Sequence, residues 1–204
     1  DMRPRGITQG MSGNISVRVK EGFLLTPSGM AYEEMKVGDI VLMRPDASHT
    51  GKRKPSSEWR FHHVLMMSRP EIGAVVHTHS MFATTLSCLG LEIPAVHYMI
   101  AAAGGESIRC APYATYGTQE TADNAVKALR DRNACLLANH GMIVVGPDLK
   151  KAMWLAVEVE TLAAQYWRAL QVGKPNILPK AEVSRVIDKF KTYGQAKEPA
   201  PACC

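Results

Sequence analysis

Two histidines placed two residues apart are the strongest chemical feature of this 204-residue chain. His77 and His79 follow the apolar run Ala74-Val-Val, which is typical of a buried β-strand. On a strand, side chains at positions i and i+2 project from the same face, so both imidazoles point the same way. Such a pair can supply half of a tetrahedral zinc site. The spacing therefore predicts a metal site at the end of this strand.

A third metal ligand must come from elsewhere in the chain, and His140 is the best candidate. It lies in the segment LLANHG, residues 136–141, at the tip of a predicted hairpin between two apolar strands. Three histidines leave the fourth coordination position open, which is typical of a catalytic zinc site. The remaining histidines lack comparable placement and are left out of the predicted site: His49, His62, His63 and His97.

The segment KPSSEW, residues 54–59, combines hydroxyl groups with a carboxylate at the predicted start of a helix. Free backbone N–H groups at a helix N-terminus attract anions, so Ser56 and Ser57 could bind phosphate. Glu58 would lie in the first turn, where the helix dipole stabilises its charge. Glycine-rich turns at residues 10–14 and 26–29 could also wrap phosphate oxygens. Each of these segments can equally be explained as an ordinary helix cap or turn.

The elements that position these residues form a mixed α/β pattern. Short runs rich in Val, Ile and Leu predict strands at residues 14–19, 23–26, 39–43, 74–79, 134–138 and 142–145. Helices are predicted at residues 57–68, 118–132, 148–172 and 181–193. The apolar stripe of the helix at 148–172 is more typical of a core face than of a cofactor site.

Composition indicates a globular protein without a nucleic-acid or membrane partner. Hydrophobic residues make up 46% and charged residues 21%, with scattered cations giving a net charge of +5 that suits a small phosphorylated substrate. No apolar run is long enough to span a membrane, and no export signal follows the basic start, so we expect a cytoplasmic protein. Five cysteines without CxxC spacing favour reduced thiols. Residues 1–194 are predicted to form one domain and residues 195–204 a disordered tail.

The order of the motifs resembles the class II aldolase and adducin-head superfamily from residue 10 to residue 193, and within it the L-fuculose-1-phosphate aldolases. The first group of motifs comprises GMSGNISVR at 10–18, LLTPSGMAYEEM at 24–35, KPSSEWRFH at 54–62, AVVHTHS at 74–80 and ANHGMIVVG at 138–146. The second comprises PAVHYMIAAAGG at 94–105, CAPYATYG at 110–117 and FKTYG at 190–194. Ordered motifs over this length are highly specific.

This resemblance implies a three-layer α/β/α domain around a mostly antiparallel sheet, assembled as a homotetramer with active sites at subunit interfaces. It implies one Zn²⁺ per subunit held by His77, His79 and His140, with Glu58 as a nearby ligand or base. The implied phosphate ligands are Gly13, Asn14, Ser28, Gly29, Ser56 and Ser57. Tyr98 and Tyr193 would reach the active site of a neighbouring subunit.

The implied activity is the reversible cleavage of a ketose 1-phosphate to dihydroxyacetone phosphate and an aldehyde. Zinc would stabilise the enediolate, while Glu58, with a pKa raised by partial burial, would transfer the proton at its carbon. Tyr98 would protonate the aldehyde oxygen in the condensation direction. Candidate substrates are L-fuculose 1-phosphate, 5-deoxyribulose 1-phosphate and 5-methylthioribulose 1-phosphate.

Two departures from the family pattern and three alternative functions remain at this point. The N-terminal helix is shorter than usual, so we expect it to be truncated, and Tyr116 replaces the usual Phe, which could alter the aldehyde contact. An L-ribulose-5-phosphate 4-epimerase would share HTHS but typically has Asp at position 58 and lacks HYMIAAAGG. A methylthioribulose-1-phosphate dehydratase is another enzymatic alternative. A non-catalytic adducin-like interaction module would have lost the metal histidines, which are all present here.

Overall fold

The computed structural model describes residues 2–192, so Tyr193 and the predicted tail at 195–204 lie outside the described residues. The strands are β1 Asn14–Val19, β2 Gly22–Leu25, β3 Val41–Met43, β4 His49–Thr50, β5 Ala74–Thr78, β6 Ile93–Pro94, β7 Ser107–Ala111, β8 Ala134–Leu137 and β9 Gly141–Gly146. The α-helices are α1 Trp59–Ser68, α2 Met81–Cys88, α3 Gln119–Ala128, α4 Leu149–Val172 and α5 Lys180–Phe190. Short 3-10 helices span Val37–Asp39 and Tyr98–Ala103.

The described strands form one nine-stranded sheet in the order β4-β3-β2-β1-β5-β9-β8-β7-β6. Of the pairings among them, only β7 with β8 is parallel. These two strands are joined by the crossover helix α3, because parallel neighbours cannot be linked by a tight hairpin. The sheet is therefore mixed and mostly antiparallel, which confirms the prediction of a mostly antiparallel sheet.

The central strands are buried on both faces of the sheet. In β5, Ala74 and Val76 join a core that includes residues of α2 and α4, while Val75 joins a second core with residues of α1 and α3. Every residue of β5 is buried, which explains why its sequence is a continuous apolar run without alternation. The central part of the sheet therefore separates two apolar cores.

Several elements differ from their predicted limits. The helix predicted at 57–68 begins at Trp59, and the one predicted at 118–132 ends at Ala128. The helix at 148–172 is confirmed, with Asp148 as its N-cap accepting from the backbone N–H of Lys151 at 2.7 Å. Helix α2 and strands β4, β6 and β7 were not predicted, because their short segments have no clear apolar period.

No helix within residues 2–192 has the combined length and apolar character needed to cross a bilayer.

Candidate active site

The end of β5 and the turn between β8 and β9 bring three histidines together. His77 lies on β5, and His79 follows one residue beyond its end. In the β5–β9 pairing Thr78 lies opposite Met142, so the hairpin turn that carries His140 is next to His79. Gly141 permits this approach, because a Cβ there would lie 2.4 Å from the carbonyl oxygen of Thr78. The predicted hairpin position of His140 is therefore confirmed.

Glu58 completes a compact group of four potential metal ligands. One ligand atom from each of Glu58, His77, His79 and His140 lies within 4.8 Å of the others. The Nε2 atom of His77 is 3.1 Å from Nε2 of His79 and 3.1 Å from Oε2 of Glu58. The Nε2 atom of His140 lies 3.1 Å from Oε1 of Glu58. The structure thus brings together all four residues that the sequence nominated for the metal.

The hydrogen bonding of this group fits a divalent cation. The Nδ1–H of His77 donates to the carbonyl oxygen of Met142 at 2.9 Å, which fixes the ring orientation and leaves Nε2 free as a ligand. Within the part of the chain that the structure describes, the buried Oε1 of Glu58 has no hydrogen-bond donor of good geometry, although His140 lies close. Three imidazoles and a carboxylate are a donor set that zinc prefers.

The electrostatics of the four groups are coupled. Burial raises the pKa of Glu58, but the charge of His77 and the close approach of the His140 and His77 ring nitrogens, 3.1 Å from its oxygens, outweigh burial and hold that pKa well below its usual range. The raised pKa expected for Glu58 is therefore wrong for this arrangement. Burial, together with the charges of His77 and His140, lowers the pKa of His79 to about 4. Glu58 is thus ionised at neutral pH and His79 is neutral, as metal ligands must be.

Glu58 occupies the N-cap position of α1 and not its first turn, which corrects the expectation from the sequence. Its side chain makes no capping hydrogen bond to the helix and extends toward the histidines instead. The backbone N–H of Glu58 donates to Oγ of Ser56 at 3.2 Å, and Asn14 donates from Nδ2 to Oε2 of Glu58 at 3.0 Å. A simple capping role for the Glu58 side chain is therefore excluded by the geometry.

Strand pairing brings the predicted phosphate-binding segments next to Glu58. Strand β1 pairs with β2, and an isolated bridge between Pro27 and Pro55 joins the turn after β2 to the loop before α1. Two backbone hydrogen bonds of 3.1 Å reinforce this contact, from Ser28 to Lys54 and from Ser56 to Thr26. Ser28, Gly29 and Ser57 are exposed, whereas Asn14 and Ser56 are buried. The exposed members can meet an anion directly.

A buried chain of polar side chains behind Glu58 was missed by the sequence analysis. His62 is fully buried on α1, with Nε2 2.5 Å from Oδ1 of Asn14 and Nδ1 2.7 Å from Oγ of Ser16. Asn14 in turn donates to Glu58. Burial lowers the pKa of His62 to about 3, so this ring is neutral. The signal was available in principle, since His62 lies four residues after Glu58 on one helix face.

The predicted tyrosines are divided between two regions of the molecule. Tyr98 is half-exposed on the 3-10 helix and lines an open groove of about 830 Å³ with Trp154 and Phe190, away from the four clustered ligands. Tyr116 is exposed next to Gly117, whose carbonyl oxygen accepts from Arg60 on α1 at 2.7 Å. The segment of Tyr116 thus lies against the start of α1, whereas Tyr193 lies outside the described residues.

Comparisons with known proteins show which family this chain resembles. The model of the class II aldolase and adducin N-terminal domain family matches residues 1–167. The 5-methylthioribulose-1-phosphate/5-deoxyribulose-1-phosphate aldolase of Rhodospirillum rubrum is 54% identical over 197 residues, 96% of this chain and 89% of that protein. The L-fuculose phosphate aldolase of Escherichia coli K12 is 48% identical over 195 residues, 95% and 91% of the two chains. The 5-deoxy-D-ribulose 1-phosphate aldolase of Bacillus thuringiensis is 44% identical over 193 residues, 93% and 90% of the two chains.

Solved structures share the fold as well as the sequence. A structure of L-fuculose 1-phosphate aldolase superimposes with a TM-score of 0.90 at 42% identity, covering 93% of this chain and 91% of that one. The resemblance to a family that includes ketose 1-phosphate aldolases is confirmed, and the fold is the class II aldolase fold. The chain belongs to the class II aldolase and adducin N-terminal domain family.

Proposed function

We propose that this protein is a zinc-dependent aldolase that reversibly cleaves a ketose 1-phosphate to dihydroxyacetone phosphate and an aldehyde. The observation that carries the proposal is the group of Glu58, His77, His79 and His140 in a chain about half identical to aldolases of this kind. The substrates named for those relatives share a ketose 1-phosphate with an apolar far end. We take this class, including 5-methylthioribulose, 5-deoxyribulose and L-fuculose 1-phosphates, as the substrate class.

The three histidines hold the metal in this proposal, and Glu58 carries the proton. A bound divalent cation would act as a Lewis acid on the ketose oxygens and stabilise the negative charge that develops at the cleaved bond. In the condensation direction, the ionised Glu58 accepts a proton from the carbon beside the carbonyl of dihydroxyacetone phosphate. An adjacent divalent cation would favour the ionised form of the carboxylate, which is the basic form that this step requires.

Tyr98 supplies the second proton in the proposed reaction. The electron pair left on the carbon attacks the aldehyde carbon, and Tyr98 donates its phenolic proton to the aldehyde oxygen; cleavage reverses both transfers. Within one chain, Tyr98 lines a groove that none of the four clustered ligands lines, which supports the proposal that Tyr98 acts in the site of a neighbouring subunit. Tyr193 is proposed to act there with it. A homotetramer of single-domain subunits would place them there.

The exposed loops beside Glu58 form the proposed phosphate site. Ser28, Gly29 and Ser57, with Gly13, Asn14 and Ser56 behind them, surround the start of α1, where backbone N–H groups and the helix dipole favour an anion. Anchoring the phosphate here would orient the reacting carbon toward the nearby Glu58 carboxylate.

The test is a cleavage assay on the three ketose 1-phosphates and on L-ribulose 5-phosphate, before and after complete metal removal. We expect dihydroxyacetone phosphate from at least one ketose 1-phosphate, loss of activity with chelator, and recovery with Zn²⁺. Activity that survives full metal removal would contradict the metal mechanism. Epimerisation of L-ribulose 5-phosphate alone would make the protein an isomerase.

A second experiment tests the proposed role of Tyr98. Replacing Tyr98 with Phe removes the phenolic proton and keeps the ring, so kcat should fall by about 10²- to 10⁴-fold, the range typical of general acid catalysis. Phosphate affinity should change little, because the proposed role of Tyr98 is at the aldehyde oxygen and not at the phosphate. A large loss of inorganic phosphate binding would contradict this assignment.

A further inference from the structure

His62 is a buried, neutral histidine that the mechanism above does not use. Its ring is 0% exposed and contacts Phe61 at a centroid distance of 4.6 Å. An ordinary core position would hold an apolar residue, because an imidazole buried at this depth must satisfy two ring nitrogens. Both nitrogens have partners, Asn14 and Ser16, and both partners lie on β1.

The partners of His62 determine which ring nitrogen carries the proton. The Oδ1 atom of Asn14 can only accept, so the facing Nε2 atom must donate. A neutral ring then has an unprotonated Nδ1, which accepts from the hydroxyl of Ser16. The donors therefore run in one direction, from Ser16 to His62, from His62 to Asn14, and from Asn14 to Glu58.

This direction matters because the amide of Asn14 could otherwise turn over. In the reversed orientation Oδ1 of Asn14 would face the ionised Oε2 of Glu58, and two acceptors would repel each other. The Nε2–H of His62 holds Oδ1 on its own side and keeps an amide N–H on Glu58. The register of β1 and β5 brings Asn14 to the ligand group, because Asn14 lies opposite His77.

We propose that His62 is a positioning residue that orients Asn14, and through it the carboxylate of Glu58, for proton transfer. The proposal rests on the aldolase function proposed above, because it assigns a task to the residues behind its proton-transfer group. His62 is not one of the four clustered ligands, and its hydrogen bond to Asn14 connects it to Glu58. It acts on the rate of the proton transfer and not on metal retention.

Two amide substitutions separate positioning from packing. A glutamine at 62 carries an amide nitrogen near the place of Nε2 and can still donate to Asn14, whereas an asparagine mimics only Nδ1 and reaches Ser16. We expect His62→Asn to lower kcat by about 10- to 100-fold with KM nearly unchanged, the range typical of residues that orient a ligand or base. His62→Gln should retain most of the wild-type kcat. His63→Gln, at the neighbouring half-buried ring that contacts Pro45, is the matched control and should match wild type.

The proposal would be overturned in favour of a packing role if His62→Asn and His62→Gln lost kcat equally and their melting temperatures fell equally. Unchanged kcat in His62→Asn would overturn it as well. Metal content per chain, measured by elemental analysis, should stay equal in all variants. A selective loss of metal in His62→Asn would show that the residue supports the metal ligands instead.

Nitrogen NMR on the wild-type protein keeps the test independent of variants and of activity. In metal-free protein labelled with ¹⁵N in the histidine rings, His62 should be neutral at pH 7, with its proton on Nε2 and a bare Nδ1. A proton on Nδ1, or on both nitrogens, would overturn the proposal even if every variant misfolds. If wild type cleaves no ketose 1-phosphate while His62 shows the Nε2–H form, the proposed function fails and the hydrogen-bond chain stands.

Discussion

Two glutamates near the C-terminal end of the central strand β5 have opposite environments. Glu160 on α4 accepts from the Ser80 hydroxyl at 2.7 Å and from the backbone N–H groups of Phe82 and Ala83 at 2.8 and 2.9 Å. It thereby caps α2, whose own N-cap residue makes no side-chain cap. Glu58 faces histidines instead, and one of its buried oxygens lacks a well-aligned donor among the described residues.

This difference shows what separates a structural carboxylate from one available for chemistry. Glu160 meets neutral, fixed donors that satisfy both oxygens, and its charge stabilises the first turn of α2 through the helix dipole. Glu58 is held on one oxygen by Asn14, and its remaining contacts are groups that can bind a cation. A carboxylate whose two oxygens both accept hydrogen bonds stabilises the fold, whereas a carboxylate with an oxygen that lacks a donor remains able to accept a proton.

Replacing each glutamate with glutamine should show that Glu58 is needed for kcat and Glu160 for stability. Glu58→Gln should lower kcat by about 10²- to 10⁴-fold, because the amide cannot accept the proton. Its metal content should remain close to wild type, since three histidines still bind. Glu160→Gln should keep kcat within about threefold, because Glu160 caps α2 and is not one of the four clustered ligands. The comparison fails if Glu160→Gln loses as much rate as Glu58→Gln.

The sequence predicted much of the metal group but little of what supports it. His77 and His79 share a face because strand geometry is local, and the turn carrying His140 is bounded by two clear apolar strands. Helix α2, whose short segment has no clear apolar period, also lacks a local side-chain cap, because its cap comes from Glu160, far along the chain. The spacing of four residues between Glu58 and His62 is local, but the contacts of His62 with Asn14 and Ser16 depend on how α1 packs against β1, which no local pattern encodes.

Metal binding should stabilise the Glu58 side of the sheet and leave the Glu160 contact unaffected. A cation that binds only the folded state at 100 times its dissociation constant adds about 2.7 kcal/mol. The melting temperature should therefore rise with Zn²⁺ equally in wild type and in Glu160→Gln. His140→Ala should lose most of this rise, because it removes a ligand from the group. Differential scanning calorimetry measures the melting temperature. If Zn²⁺ raised it as much in His140→Ala as in wild type, His140 would be excluded as a ligand.

Glu160 itself should account for a smaller, purely structural effect. In Glu160→Gln an amide NH₂ replaces one acceptor oxygen and faces a hydroxyl or a backbone N–H, leaving a donor at the start of α2 unpaired. The free energy of unfolding should fall by about 1–3 kcal/mol, the usual penalty for a lost acceptor. Chemical denaturation of the metal-free proteins measures it. Thr161→Ala is the matched control, because the Thr161 hydroxyl is exposed and bonds only within its own helix.

Acid sensitivity should also be concentrated behind Glu58, because that is where buried neutral histidines lie. The pKa of His62 is lowered, chiefly by burial, to about 3, against about 6.5 in an unfolded chain. Between these values the unfolded state binds a proton that the folded state does not, so stability is lost as pH falls. For one group the free energy of unfolding should drop by at most about 1.4 kcal/mol per pH unit.

His62→Gln removes this titration, and His79, whose pKa is lowered to about 4, contributes a second one. Denaturation of metal-free protein from pH 7 to pH 4 should therefore give a shallower slope for His62→Gln than for wild type or His63→Gln. Equal slopes for all three would mean that His62 binds its proton at the same pH in the folded protein as in the unfolded chain. The fixed donor direction toward Asn14 and Glu58 would then be lost below that pH, because an imidazolium cannot accept from Ser16.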